Sequence, residues 1–223
     1  MGAAVIHRHR IAYFPIPKNA TSSIKRLIYE LDAGVPFTST VRSSVGATVH
    51  ELYPSGGGRK WRLYFDNYTT IAVVRDPVKR LLSAYGNRVI QRKAFETNPE
   101  ARRQLQQHGL SLVPELDEFV EHLETYSRLS PQLRAHILPQ STYVGAFWDR
   151  LKVKLPIEQV GTLPDLILEK TGQRVTLPHI QAAGPKPSPK RLSDSHFKKV
   201  VSIFAADYEM LKEFYRPSDL LRA

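Results

Sequence analysis

Two apolar runs of strand length each pass, with no linker between, into a segment built to open a helix. The first covers residues 10–15 and leads into "IPKNATSSIKRLIYEL"; the second, "TIAVV" at 70–74, leads into "RDPVKRLLSAY". Beyond the first run, Ile24, Leu27, Ile28 and Leu31 recur at helical spacing over 23–31. Beyond the second, Val78, Leu81, Leu82, Tyr85 and Val89 do the same from 78 to about 92. An uninterrupted apolar run such as "TIAVV" suits a strand covered on both faces, the habit of parallel sheets. Strand–helix alternation therefore predicts an α/β fold with a largely parallel sheet. Sheets of that kind bind ligands beyond the C-terminal ends of their strands. Both strand-to-helix passages fall there.

The rest of the chain carries weaker signals. Residues 32–58 read as mixed loop, with a flexible turn in "PSGGGRK" at 54–60. A helix behind Pro114 would turn Leu116, Phe119, Val120 and Leu123 inward. "STYVGAF" and "LKVKLPIEQV" read as strands. Thr162, Leu163 and Pro164 open a helix that ends near Lys170, ahead of Gly172. The Pro-rich basic stretch 182–194 reads as a flexible loop, and 195–215 as a last helix. A length of 223 residues with 42% apolar content suits a single domain over 1–223.

Composition removes several function classes. The chain has no cysteine, which excludes disulfides, thiolate metal sites and thiol nucleophiles. No run approaches the roughly 20 apolar residues of a membrane span, and no signal-peptide pattern opens the sequence. A soluble cytoplasmic protein is the expectation, with a lumenal piece of a Golgi enzyme as the other reading. The net charge of +11 favours anionic partners. Nucleic acid is a poor fit, because the basic residues are scattered and no nucleic-acid module is present.

Each passage can be read two ways. Thr21, Ser22 and Ser23 can simply cap a helix beside an exposed Lys18. They can equally form an anion seat, since a helix start presents unpaired N–H groups and the positive end of the helix dipole. The order of residues is not that of a Walker A loop, which needs GxxxxGK[ST]. In the second passage, Asp76 and Arg80 can be an i,i+4 pair on a surface helix. Alternatively Arg75, at the strand end, and Ser83 can meet one further phosphate if the backbone turns back after Asp76.

Taken together, "FPIPKNATSSIKRLI" and "IAVVRDPVKRLLSAY" resemble the two donor-binding segments of the sulfotransferases that use 3'-phosphoadenosine 5'-phosphosulfate (PAPS). The likeness is closest to the carbohydrate branch, Golgi-type and bacterial. "HILPQ" at 136–140 and "FAADYEML" near the end echo the same branch. The resemblance implies a three-layer, P-loop-like α/β fold with a central, mostly parallel sheet flanked by helices. It implies that Lys18, Asn19, Ala20, Thr21, Ser22 and Ser23 hold the 5'-phosphosulfate, and that Arg75 and Ser83 hold the 3'-phosphate. The reaction would move a sulfuryl group to a hydroxyl or amine of a carbohydrate or glycoconjugate, leaving 3'-phosphoadenosine 5'-phosphate (PAP). No metal is expected. Lys18 would neutralise the leaving phosphate. The acceptor's proton needs a base, for which His50 and His136 are the candidates, with Glu51 behind them. Segments 35–60 and 91–112, with the basic Pro-rich stretch 182–194, are candidates for acceptor recognition. A P-loop nucleotide phosphotransferase, a basic anion- or nucleic-acid-binding protein, and a donor-binding protein without catalysis are the alternatives.

Overall fold

A computed structural model describes residues 2–54, 62, 64–180 and 184–222. In chain order, β1 (Ala4–Ile6), β2 (Ile11–Tyr13), α1 (Thr21–Ala33), α2 (Ser39–Val45), α3 (Val49–Leu52) and β3 (Thr69–Val74) come first. Next, α4 (Pro77–Ala84) runs into a π-helical stretch, Tyr85–Gln91. Then follow α5 (Pro99–Gln107), α6 (Leu116–Glu121), α7 (Leu123–Leu129), α8 (Pro131–Ile137) and α9 (Gln140–Val144). The order closes with β4 (Val153–Pro156), α10 (Leu163–Thr171), α11 (Asp194–Ile203), α12 (Ala205–Met210) and α13 (Pro217–Arg222). None of the described helices is long and apolar enough to cross a membrane.

The chain folds as two compact units. The first combines Met1–Arg75 with Tyr143–Gln181, and the second combines Asp76–Thr142 with Ala182–Ala223. In the first unit the sheet has the order β1-β2-β3-β4; β2, β3 and β4 are parallel and β1 is antiparallel at the edge. The register pairs Tyr13 with Ile71 and Ile71 with Val153, so one face is aligned across the strands. From that face Ile11, Tyr13, Ile71 and Val73 pack with Ile24, Leu27 and Ile28 of α1 and with Leu163 and Ile167 of α10. Each fully buried Leu or Ile of this kind is worth roughly 1.5–3 kcal/mol. Strand side chains alternate, and Phe14 meets Phe65 and Phe147 at ring distances of 5.7 and 4.8 Å.

The second unit has its own core. Val78, Leu81 and Leu82 of α4 pack with Phe119 and Val120 of α6 and with Phe197 and Val200 of α11. The Pro-rich stretch is tied in closely at one point. A Cβ added to Gly86 would fall 2.0 Å from the Pro185 carbonyl oxygen, so only glycine fits there. Leu192 is buried.

The mostly parallel sheet with flanking helices matches the expectation for the described residues. Several local readings do not. The stretch expected as mixed loop holds α2 and α3, each begun by a threonine whose hydroxyl accepts from a backbone N–H. "STYVGAF" is not a strand; it forms the end of α9 and the start of a 3-10 turn, Gly145–Arg150. The expected last helix is broken at Phe204 between α11 and α12. The flexible turn placed at 54–60 lies, after Pro54, outside the described residues.

Candidate active site

The turn between β2 and α1 is strained in two places. Lys18 has φ 72° and Ala20 has φ 54°, the left-handed region that non-glycine residues enter at a cost of about 1–2 kcal/mol each. Strain of this kind persists only where its surroundings enforce it. The Asn19 side chain is fully buried and its Nδ2 donates to the Val73 carbonyl at 2.9 Å. Thr21 Oγ1 donates to the Ile16 carbonyl at 2.8 Å. Arg75 Nη1 donates to the Lys18 carbonyl at 3.3 Å.

Those bonds bear on the capping reading of the first passage. Ala20 is the N-cap of α1 and makes no side-chain cap bond, and the Thr21 hydroxyl is spent on Ile16. The first helical bond is Ile24 N to Ala20 O at 3.0 Å. The amides of Thr21, Ser22 and Ser23 therefore have no acceptor within the helix. Left-handed residues in a turn gather backbone N–H groups on its concave side, which is an anion-binding device. The α1 dipole adds to it. Arg75, at the C-terminal end of β3, reaches this same turn. The passages that follow β2 and β3 thus adjoin, and bring Lys18, Asn19, Ala20, Thr21, Ser22, Ser23 and Arg75 into one region of the first unit.

His50 belongs to the same region. It sits on α3, exposed, with Nε2 2.8 Å from Ser22 Oγ and Nδ1 3.5 Å from Lys25 Nζ. Its neighbour Glu51 is occupied otherwise: its carboxylate accepts from the Thr48 amide at 2.6 Å in a capping box. Hydrogen bonds from Thr48 hold that carboxyl below its usual range, which makes it a poor base. Lys25 is fully buried, and loss of hydration pushes its ammonium down from 10.5 to about 8. Sequence reasoning missed Lys25. Its one local signal is spacing, three residues after Ser22 and four after Thr21, on the hydroxyl-bearing face of α1.

The other candidates lie in the second unit. Ser83 is half-buried on α4. Arg80 is not on a surface helix face: it is fully buried and donates to the Leu138 carbonyl at 2.8 Å. Asp76 caps α4 by accepting from Lys79 N at 2.9 Å and also accepts from the Tyr208 hydroxyl at 3.2 Å; burial pushes its carboxyl up. His136 lies on α8. Its Nδ1 donates to the Gln132 carbonyl, and its Nε2 lies 3.2 Å from Arg88 Nη2. A guanidinium can only donate, so that contact engages the lone pair a base would need. The two weaker sequence echoes meet here. Asp207, of "FAADYEML", accepts from the amides of Gln140 and Ser141, next to "HILPQ", at 2.7 Å each.

A family model described as "Sulfotransferase family" matches residues 2–148 of the 223. No curated protein and no solved structure gives a match. The matched span covers more than half of the chain and contains the strained Lys18 turn, His50, Arg75, Ser83 and His136. The chain belongs to the sulfotransferase family.

Proposed function

We propose that this protein moves a sulfuryl group from PAPS to a hydroxyl of a carbohydrate or glycoconjugate. The observation that carries the reading is the hydrogen bond from Arg75 to the Lys18 carbonyl. It joins the ends of two neighbouring parallel strands around an uncapped helix start. In this reading the amides of α1, the Ser22 and Ser23 hydroxyls and the Lys18 ammonium take the 5'-phosphosulfate. The R-x-P-x-x-R-x-x-S pattern assigns Arg75 and Ser83 to the 3'-phosphate. Arg80, fully buried, is structural.

In the transfer, the acceptor oxygen forms a bond to sulfur while the bond from sulfur to the 5'-phosphate oxygen breaks. Negative charge grows on that phosphate, and Lys18 with the helix start offsets it. His50 takes the acceptor's proton. It is exposed, it adjoins Ser22, and its pair of ring nitrogens suits proton transfer near neutral pH. His136, held on both sides in the second unit, is the weaker choice. A concave surface lined by Ser39, Arg42, Ser43, Thr48 and Glu51 lies on α2, α3 and the turn between them. Hydroxyls with one guanidinium and one carboxylate suit a polyhydroxylated acceptor, and Glu51 of this surface is the next residue after His50.

Calorimetric titration with PAP tests the donor assignment. Wild type is expected to bind PAP, with ATP-magnesium failing to compete. Lys18→Ala and Arg75→Ala are each expected to weaken PAP binding at least tenfold, about 1.4 kcal/mol. Unchanged affinity in both variants would overturn the donor site. The His50 role is read separately: His50→Gln should abolish transfer and leave PAP binding intact.

A further inference from the structure

The His50 imidazole lies across two positions of α1, with Ser22 Oγ 2.8 Å from Nε2 and Lys25 Nζ 3.5 Å from Nδ1. Ser22 and Lys25 are three residues apart and share a helix face. The ring is exposed and the lysine fully buried. An ammonium is a donor only. While Lys25 carries its proton, His50 Nδ1 must present its lone pair. A neutral ring then carries its hydrogen on Nε2, aimed at Ser22 Oγ, and Nε2 cannot take a proton from an acceptor. A neutral Lys25 amine reverses the arrangement. It accepts from Nδ1–H, Nε2 holds the lone pair, and the Ser22 hydroxyl, which donates to the 5'-phosphosulfate in the proposed complex, leaves that lone pair to the acceptor's proton.

We propose that Lys25 is a positioning residue that selects the tautomer of His50, keeping Nε2 protonated while it is an ammonium and releasing Nε2 as the base when it is an amine. The proposal rests on the reading of His50 as the base. With the amine form in place, the acceptor O–H gives its proton to Nε2 as its oxygen bonds to sulfur. The bond from sulfur to the 5'-phosphate oxygen breaks, and that oxygen keeps the electron pair. Exposed His50 then passes the proton to solvent. Burial brings the Lys25 titration to about 8, so both forms are reached near neutral pH. Titratable groups also lie on the elements packed with α1. On α3, Glu51 is tied to Thr48; just after it, the Tyr53 hydroxyl donates to Asp32 of α1 at 3.1 Å. Arg26, Tyr29 and Glu30 lie on α1 itself, Lys18 precedes it, and Arg8 donates to the Leu31 carbonyl. On β2 there is Tyr13, on α10 there are Asp165, Glu169 and Lys170, and β1 carries none.

Imidazole nitrogen shifts in 15N-labelled protein report the tautomer directly. They are to be followed from about pH 7 to 9.5 in wild type, Lys25→Met and Lys25→Arg, spanning the lysine titration. In wild type, His50 is expected to move from Nε2–H to Nδ1–H with a midpoint near 8. Lys25→Arg, charged throughout, should hold Nε2–H. Lys25→Met should show no transition in that region. A wild-type His50 that keeps one tautomer across the range, or the same transition in Lys25→Met, overturns the proposal. This readout needs neither donor nor acceptor. Failure of the transfer reading would show itself elsewhere, as absent PAP binding. In turnover, the rising limb of kcat/KM should fall from near 8 in wild type towards the ordinary histidine value of about 6.5 in Lys25→Met. A limb that stays near 8 in that variant also overturns it.

Discussion

Lys18 and Ala20 hold a conformation that glycine adopts more cheaply, and neither is glycine. At Lys18 the charge explains the choice under the proposed function. Lys18→Gly removes the left-handed strain and should raise stability by about 0.5–1 kcal/mol after the extra unfolded-state entropy of glycine is counted. The same change should weaken PAP binding at least tenfold. Thermal melts and titrations on one sample check both, and a variant that is less stable yet binds normally contradicts the account. Lys25 poses the same trade. Its folded pKa of about 8 lies below its ordinary 10.5. Between those values the unfolded chain holds a proton that the folded chain has released, so stability rises with pH across that window. Below it the burial penalty is at its full size. Lys25→Met should therefore gain about 3 kcal/mol over wild type at pH 7 and lose most of that advantage near pH 10.5. Denaturant melts at both pH values measure this. The Lys18 turn was legible in the sequence because its signal is local: hydroxyls, a lysine and a strand end within a few residues. Lys25 was not, because its burial depends on α3 packing across it.

Among the elements, α9 shows what sequence pattern cannot carry. "STYVGAF" mixes β-branched and aromatic residues and reads as a strand. Its first turn is nonetheless helical, because the Asp207 carboxylate, 67 residues on from Gln140, accepts the opening amides of Gln140 and Ser141. Asp207 is fully buried, so its removal leaves two enclosed N–H groups without that acceptor. Asp207→Ala should cost about 3 kcal/mol, more than a surface cap, and Asp207→Asn less. Hydrogen exchange at Gln140 and Ser141 should rise well above that at Leu81 and Leu82 of α4. Uniform exchange across the unit would show that Asp207 does not hold this helix start in particular. Where the signal was local, element reading succeeded: Gly172, with φ 70°, ends α10 one residue after Thr171. It failed where a distant carboxylate set the conformation.

For the whole molecule, the mostly parallel sheet was legible because both of its central passages announce themselves in sequence. The division into two units was not, for a physical reason. Of its three boundaries, the one at Arg75 and Asp76 falls in the unbroken passage from β3 to α4, and the one at Thr142 and Tyr143 falls inside α9. No Gly- or Ser-rich linker marks either place; only the third, at Gln181 and Ala182, meets a stretch the sequence singles out, the Pro-rich segment that begins at 182. Two cores, each closed by its own residues, predict unfolding that departs from a single two-state step. Calorimetry should then show a measured enthalpy larger than the van't Hoff value. Lys18, Ser22 and Arg75 belong to the first unit and Ser83 to the second. PAP at about 100 times its Kd should stabilise the folded chain by about 2.7 kcal/mol and raise the transition of the first unit by several degrees. Arg75→Ala should lose most of that shift at the same PAP concentration while its ligand-free transition stays close to that of wild type. An equal PAP shift in wild type and Arg75→Ala would place the nucleotide somewhere other than the joined strand ends.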